Sequence, residues 1–208
     1  MNCHHKHKAK GPKILLLGLG NDILSDDAIG LLVVRAIARD LRESEEIDVC
    51  ETTEMGLALL DFLAGYDAAL IVDSVRTGHS PPGTVHAIDA MNLRRLDVHA
   101  PHLLGVGETL VLGRQLGLAM PTRVTIAAVE VEDPYTVGTQ LSAALAVALP
   151  EVLRRVHLLL QELLSALHRQ TDASAEEHTR AIVGETASVG VAVAERVVHT
   201  RKGSASES

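Results

Sequence analysis

The feature that most constrains this chain is a series of short apolar runs alternating with helical patterns, beginning at Ile14. Ile14–Leu17 is a continuous apolar run bounded by Gly18 and Gly20, and its lack of polar alternation marks a strand buried on both faces. In Ala28–Leu41 the residues Ile29, Leu32, Val33, Ala36, Ile37 and Leu41 recur at helical spacing, which predicts an amphipathic helix. Asp26 and Asp27 stand at its start, where carboxylates suit the helix dipole and can cap the first turn. A second strand is read at Ile47–Glu51, a second helix at Gly56–Leu63 and a third strand at Ala68–Val72. A βαβαβ succession of this kind builds a parallel sheet with helices packed on its faces.

The pattern then changes. Thr77–Gly83 (TGHSPPG) is rich in turn residues, and Thr84–Ile88 is a brief strand. So short a return excludes a parallel crossover and predicts an antiparallel edge strand. An irregular stretch, Asp89–Pro101, leads to a helix over about Leu103–Leu118 and a strand at Val124–Val129. The last core helix is read from about Ser142 to Leu167, with Pro150 as a point of interruption. The expected fold is therefore α/β: three layers, α/β/α, around a five-stranded, mostly parallel sheet with one antiparallel edge strand.

The ends have a different character. Residues 1–12 (MNCHHKHKAKGP) are basic and His-rich without apolar period, and read as a disordered leader whose Cys3, His4, His5 and His7 are a tag-like cluster rather than a metal site. Residues 169–208 mix Ala, Ser, Glu, Thr and His, and read as a mobile extension in which Ala181–Val198 carries enough valine for a short element. The folded domain is placed at residues 13–168.

Composition removes several function classes. With 19 Lys+Arg against 27 Asp+Glu, the formal charge of −8 opposes a nucleic-acid or anionic-membrane surface. Aromatic residues make up 1% of the chain, too few to stack on bases. The apolar runs fall short of the roughly 20 residues that span a bilayer. Two cysteines, Cys3 and Cys50, cannot form a disulfide framework or a four-thiolate metal site, so a cytoplasmic protein is expected.

Three signals carry chemistry. The first is GLGNDILSDDAIG, Gly18 to Gly30. As a dinucleotide fingerprint it fails, because Ile23 occupies the third glycine position and Asp22, Asp26 and Asp27 would repel a pyrophosphate. It offers instead anionic oxygen at the carboxyl edge of the sheet, where open α/β folds place their ligands. The second is Asp73, directly after the apolar run AALIV. A carboxylate at the end of a buried strand needs a cation or hydrogen-bond donors, or serves only to cap a turn with Ser74. The third is the pair His99 and His102 in VHAPHLLG. A neutral imidazole completes two carboxylates around a borderline divalent ion such as Zn²⁺ or Ni²⁺.

In their order and spacing, GLGNDILSDDAIG, GLALLDFLAGYDAALIVDSVRTGHSPPGTVHAID, HLLG and VTIAAVEVEDPYTVG resemble the nickel–iron hydrogenase maturation proteases over about Lys13 to Val156. The resemblance implies an α/β/α fold and an endopeptidase that clips a C-terminal peptide from the hydrogenase large-subunit precursor once nickel is inserted. It implies that Asp27, Asp73 and His102 are the acid–acid–histidine set that recognises that nickel, which the precursor supplies and the isolated protein need not retain. His99 is then a replaceable loop residue. The chain departs from the family pattern at Glu51–Gly56 (ETTEMG), where many members carry a glycine-rich turn thought to help select the precursor, and at Leu141–Ser142, where relatives often show Thr-Pro.

No Ser/His/Asp or Cys/His set emerges, since Ser25 and Ser74 lack an assignable base and Cys50 lies in or beside the second strand. Metal-assisted hydrolysis is the remaining route to peptide cleavage. Two other classes share parts of this pattern: a cofactor-binding α/β enzyme, which would need phosphate donors that the acidic first loop lacks, and a non-proteolytic nickel-dependent checkpoint that binds the precursor without cutting it.

Overall fold

The computed structural model describes the backbone of residues 2–3, 13–41, 44–91 and 105–202, and side chains from 13 to 173 within those spans. The strands are β1 (Asn2–Cys3), β2 (Ile14–Leu19), β3 (Ile47–Thr52), β4 (Ala68–Val75), β5 (Val85–Asp89) and β6 (Arg123–Glu130). The helices are α1 (Ile29–Asp40), α2 (Leu60–Leu63), α3 (Val106–Gln115) and α4 (Ala143–Lys202). Short 3₁₀ turns, Asp26–Ala28 and Gly56–Leu59, lead into α1 and α2.

The sheet order is β1-β3-β2-β4-β6-β5. β3, β2, β4 and β6 are mutually parallel, and β5 runs antiparallel along β6. This is the five-stranded, mostly parallel sheet with an antiparallel edge strand that the pattern predicts. Beyond it, Asn2–Cys3 adds a two-residue antiparallel strand on β3, in register Asn2 with Glu51 and Cys3 with Cys50, which the reading of residues 1–12 as a leader did not anticipate. The rest of that segment lies outside the described residues.

Alternation along the strands divides the core into the two predicted layers. Ile14, Leu16, Leu70, Val72 and Val129 face α1 (Ile29, Val33, Val34, Ile37) and α4 (Val152, Val156, Leu160, Leu163). Leu15, Leu17, Ala69, Ile71 and Ile126 face the other way, toward Leu59, Phe62, Leu63, Val106 and Leu110. Burying each Val, Leu, Ile or Phe side chain among these contributes about 1.5–3 kcal/mol, and this two-sided burial is why the strands read as continuous apolar runs.

Two details differ from the sequence pattern. β5 is the edge strand, but it pairs with β6 rather than with its predecessor β4. All eight residues of β4 are buried, so its second flank needs a long apolar partner, which VTIAAV provides and the half-exposed β5 does not. The other concerns α4, which passes through Pro150 and continues beyond Leu167 to Lys202. Pro150 is exposed, so its ring projects to solvent, and the helix tolerates the lost N–H at that point. The chain divides into two units, Met1–Leu167 and His168–Ser208; the second is helical through Lys202. No helix among the described residues is long and apolar enough to cross a membrane.

Candidate active site

The chain leaves β2 toward β3 on one side, whereas β4 is followed by β5 and β6 on the other. The sheet therefore changes winding direction between β2 and β4, and open α/β domains bind ligands outside the strand ends at such a point. Asp27 follows β2 and Asp73 lies in β4. Both are buried, at 5% and 0% exposure.

The glycines of the first motif serve backbone packing rather than phosphate binding. A Cβ at Gly30 would lie 2.2 Å from the Leu19 carbonyl oxygen and 2.5 Å from that of Val72, and one at Gly18 would lie 2.6 Å from the Gly30 oxygen. The start of α1 is thus drawn tightly onto the ends of β2 and β4. Gly20 has φ +143° and no room for a side chain, since its Cβ would fall 2.1 Å from the Asp27 oxygen. That close turn brings the following acidic loop back over the sheet edge.

Asp26 and Asp27 do not share a role. Neither caps α1, whose start and preceding 3₁₀ turn have no side-chain cap. Asp26, fully buried, accepts N–H bonds from Asp133 (3.0 Å) and Glu132 (3.3 Å) through Oδ2 and from Ser142 (2.7 Å) through Oδ1. It fastens the loop after β6 and the approach to α4. Ser25 adds a hydroxyl bond to the Gln140 carbonyl, and Leu24 forms a bridge with Val137. Asp27, one residue later on the 3₁₀ turn, points elsewhere: its Oδ1 accepts the Ser74 hydroxyl at 2.8 Å.

Asp73 was expected to close the third strand. It lies within β4, which continues to Val75, because the pairing with β6 extends through Val75 and Glu130. Its Oδ1 accepts the backbone N–H of Ser74 at 2.8 Å. The two predicted carboxylates, separated by 46 positions, therefore meet at one residue, which donates its hydroxyl to Asp27 and its N–H to Asp73. His102 and His99, with Pro101, lie outside the described residues. Among the described residues, no group of three His, Cys, Asp or Glu side chains has the arrangement of a metal site.

Two further carboxylates shape the loops around this edge. Asp22 receives both terminal nitrogens of Arg35 at 2.7 Å, and the Arg35 Nε bonds to Glu51. The hydrogen bond from Arg35 holds the Asp22 carboxyl below its ordinary value, and the same bonds raise Arg35. Glu130, buried to 1% exposure at the end of β6, accepts the N–H groups of Thr77 and Gly78 and the Thr77 hydroxyl. His86 Nε2 lies 3.5 Å from its Oε2, too far for a hydrogen bond of ordinary length. Glu130 escaped the sequence reading although it carries the signal that singled out Asp73, a carboxylate closing an apolar strand.

A doubly wound α/β/α domain with buried carboxylates at its switch point has the organisation of an α/β enzyme. Residues 31–159, more than half of the chain, match the HycI family, hydrogenase maturation protease. The chain belongs to this family of endopeptidases. It is 29% identical over 119 residues to the hydrogenase 2 maturation protease of Escherichia coli (strain K12), covering 56% of this chain and 72% of that one. Its structure is similar to the hydrogenase maturating endopeptidase HybD from E. coli, with a TM-score of 0.60 and 26% identity over 72% of this chain and 93% of that chain. The [NiFe] hydrogenase maturation protease HybD from Thermococcus kodakarensis shares the fold, with a TM-score of 0.54 and 19% identity over 71% of this chain and 98% of that chain.

Proposed function

We propose that this endopeptidase removes a C-terminal peptide from the nickel-loaded large-subunit precursor of a nickel–iron hydrogenase. In this reading Asp27, Asp73 and His102 engage the nickel carried by the precursor, which is substrate cargo and not a resident cofactor. The observation that carries the reading is the convergence of Asp27 and Asp73 on Ser74 at the switch point of the sheet. Carboxylate oxygens with an imidazole suit a borderline divalent ion. Such an ion polarises a scissile carbonyl or lowers the pKa of a bound water, and a neighbouring carboxylate can take the proton. Ser74 is not read as the nucleophile: it is 4% exposed and its hydroxyl is committed to Asp27.

The test is incubation with nickel-loaded precursor followed by intact-mass measurement. A mass loss equal to a C-terminal peptide is expected, and none should occur with the nickel-free precursor. Stable binding of the loaded precursor without any mass loss would instead establish a non-proteolytic checkpoint.

A further inference from the structure

We propose that Ser74 is a positioning residue that sets the orientation of the Asp27 carboxylate relative to Asp73, an inference that rests on the functional reading above. Ser74 bonds to both, through its Oγ to Asp27 Oδ1 and its N–H to Asp73 Oδ1, each at 2.8 Å. The two links differ in kind. The N–H of Ser74 reaches Asp73 whatever side chain stands at position 74, whereas the bond to Asp27 exists only if that side chain carries a hydroxyl. Side chains alternate across a strand, so Asp73 and Ser74 project to opposite faces of β4. The hydroxyl of Ser74 accordingly reaches α1's side of the sheet, where Asp27 arrives from the 3₁₀ turn. The backbone there is closely packed: the Cβ positions of Gly20 and Gly30 are filled by neighbouring backbone oxygens. With the main chain so closely packed, the freedom left to Asp27 is rotation of its carboxylate, which the Ser74 hydroxyl restrains.

Groups that orient metal-binding carboxylates typically change metal affinity or activity by about 10–100-fold when removed. Ser74→Ala in the full chain should lower kcat/KM on nickel-loaded precursor by at least about tenfold. In a crystal structure of the same variant, Asp27 should have left its present rotamer. Ser74→Thr, which keeps the hydroxyl, should recover both. The thermal unfolding midpoint of Ser74→Ala should stay near wild type; if it falls, Ser74→Cys, of similar volume and with a weak donor, takes its place and should show the same loss of kcat/KM. Asp27→Asn is run alongside. If it abolishes processing while Ser74→Ala leaves kcat/KM and the Asp27 rotamer unchanged, the role of Ser74 is overturned and the site stands. If Asp27→Asn processes precursor at the wild-type rate, the site itself is overturned.

Discussion

The carboxylate of Glu130 takes both the backbone N–H and the hydroxyl of Thr77, at 2.8 and 2.7 Å, across 53 positions of chain. With the Gly78 N–H, it holds the start of the loop that joins β4 to β5, two residues beyond the strand that carries Asp73.

Replacing Glu130 by Ala should therefore cost about 2 kcal/mol, because two partly buried N–H groups and a hydroxyl lose a charged acceptor. Glu130→Gln keeps an acceptor of the same shape and should cost about 1 kcal/mol. Denaturant unfolding distinguishes the two. An Ala variant within about 0.5 kcal/mol of wild type, the range of ordinary surface substitutions, would show that the loop does not depend on this contact.

Adjacent carboxylates should give opposite phenotypes. Asp26→Ala removes the acceptor for three backbone N–H groups at a fully buried position, and should lower stability by about 2–4 kcal/mol. Asp27→Ala should abolish processing with little loss of stability, since relief of a buried charge offsets the lost bond to Ser74. Unfolding midpoints and precursor cleavage, measured on both variants, check the contrast. Equal destabilisation by the two would refute the division of roles.

Between the histidines of VHAPHLLG, His102→Ala should eliminate cleavage of nickel-loaded precursor, and His99→Ala should not. Pro101 restricts the chain immediately before His102, and a ligand needs a fixed approach more than a loop residue does. Precursor processing assayed by mass is the measurement, and reversed phenotypes would remove His102 from the proposed set.

The Arg35–Asp22 contact has a defined pH dependence. Asp22 is held below its ordinary value of 3.8, chiefly by the Arg35 hydrogen bond. A lowered carboxylate stabilises the fold fully above its unfolded pKa and loses that contribution as pH falls through its folded pKa. The stability gap between wild type and Arg35→Ala should therefore be constant near neutral pH and shrink below about pH 4. Both side chains are more than a third exposed, so the Asp22 part of the gap should be about 1 kcal/mol or less and weaken in high salt. A gap that widened on acidification would contradict this assignment.

Local pattern alone determined most of the frame. The apolar runs ILLL and AALIV, and the helical spacing from Ile29 to Leu41, were legible because burial on both faces of a parallel sheet leaves no polar alternation, and because a helix shows its core face every three to four residues. The antiparallel direction of β5 was legible from loop length, since so few residues allow no crossover. Its partner was not: whether β5 pairs with β4 or β6 depends on which strand best covers the fully buried β4, a comparison between segments far apart in the chain. The candidate site divides the same way. Asp73 stood out as a carboxylate directly after an apolar run and Asp26 with Asp27 as a pair ahead of the first helix; local pattern did not separate that pair, and only the family resemblance pointed to Asp27. The fold gives the physical difference, by turning successive side chains of a 3₁₀ turn toward different neighbours, Ser142 116 positions away for one and Ser74 47 positions away for the other. Hydrogen-bond partners at such separations are chosen by the packing of strands and helices, and no local window of residues contains them.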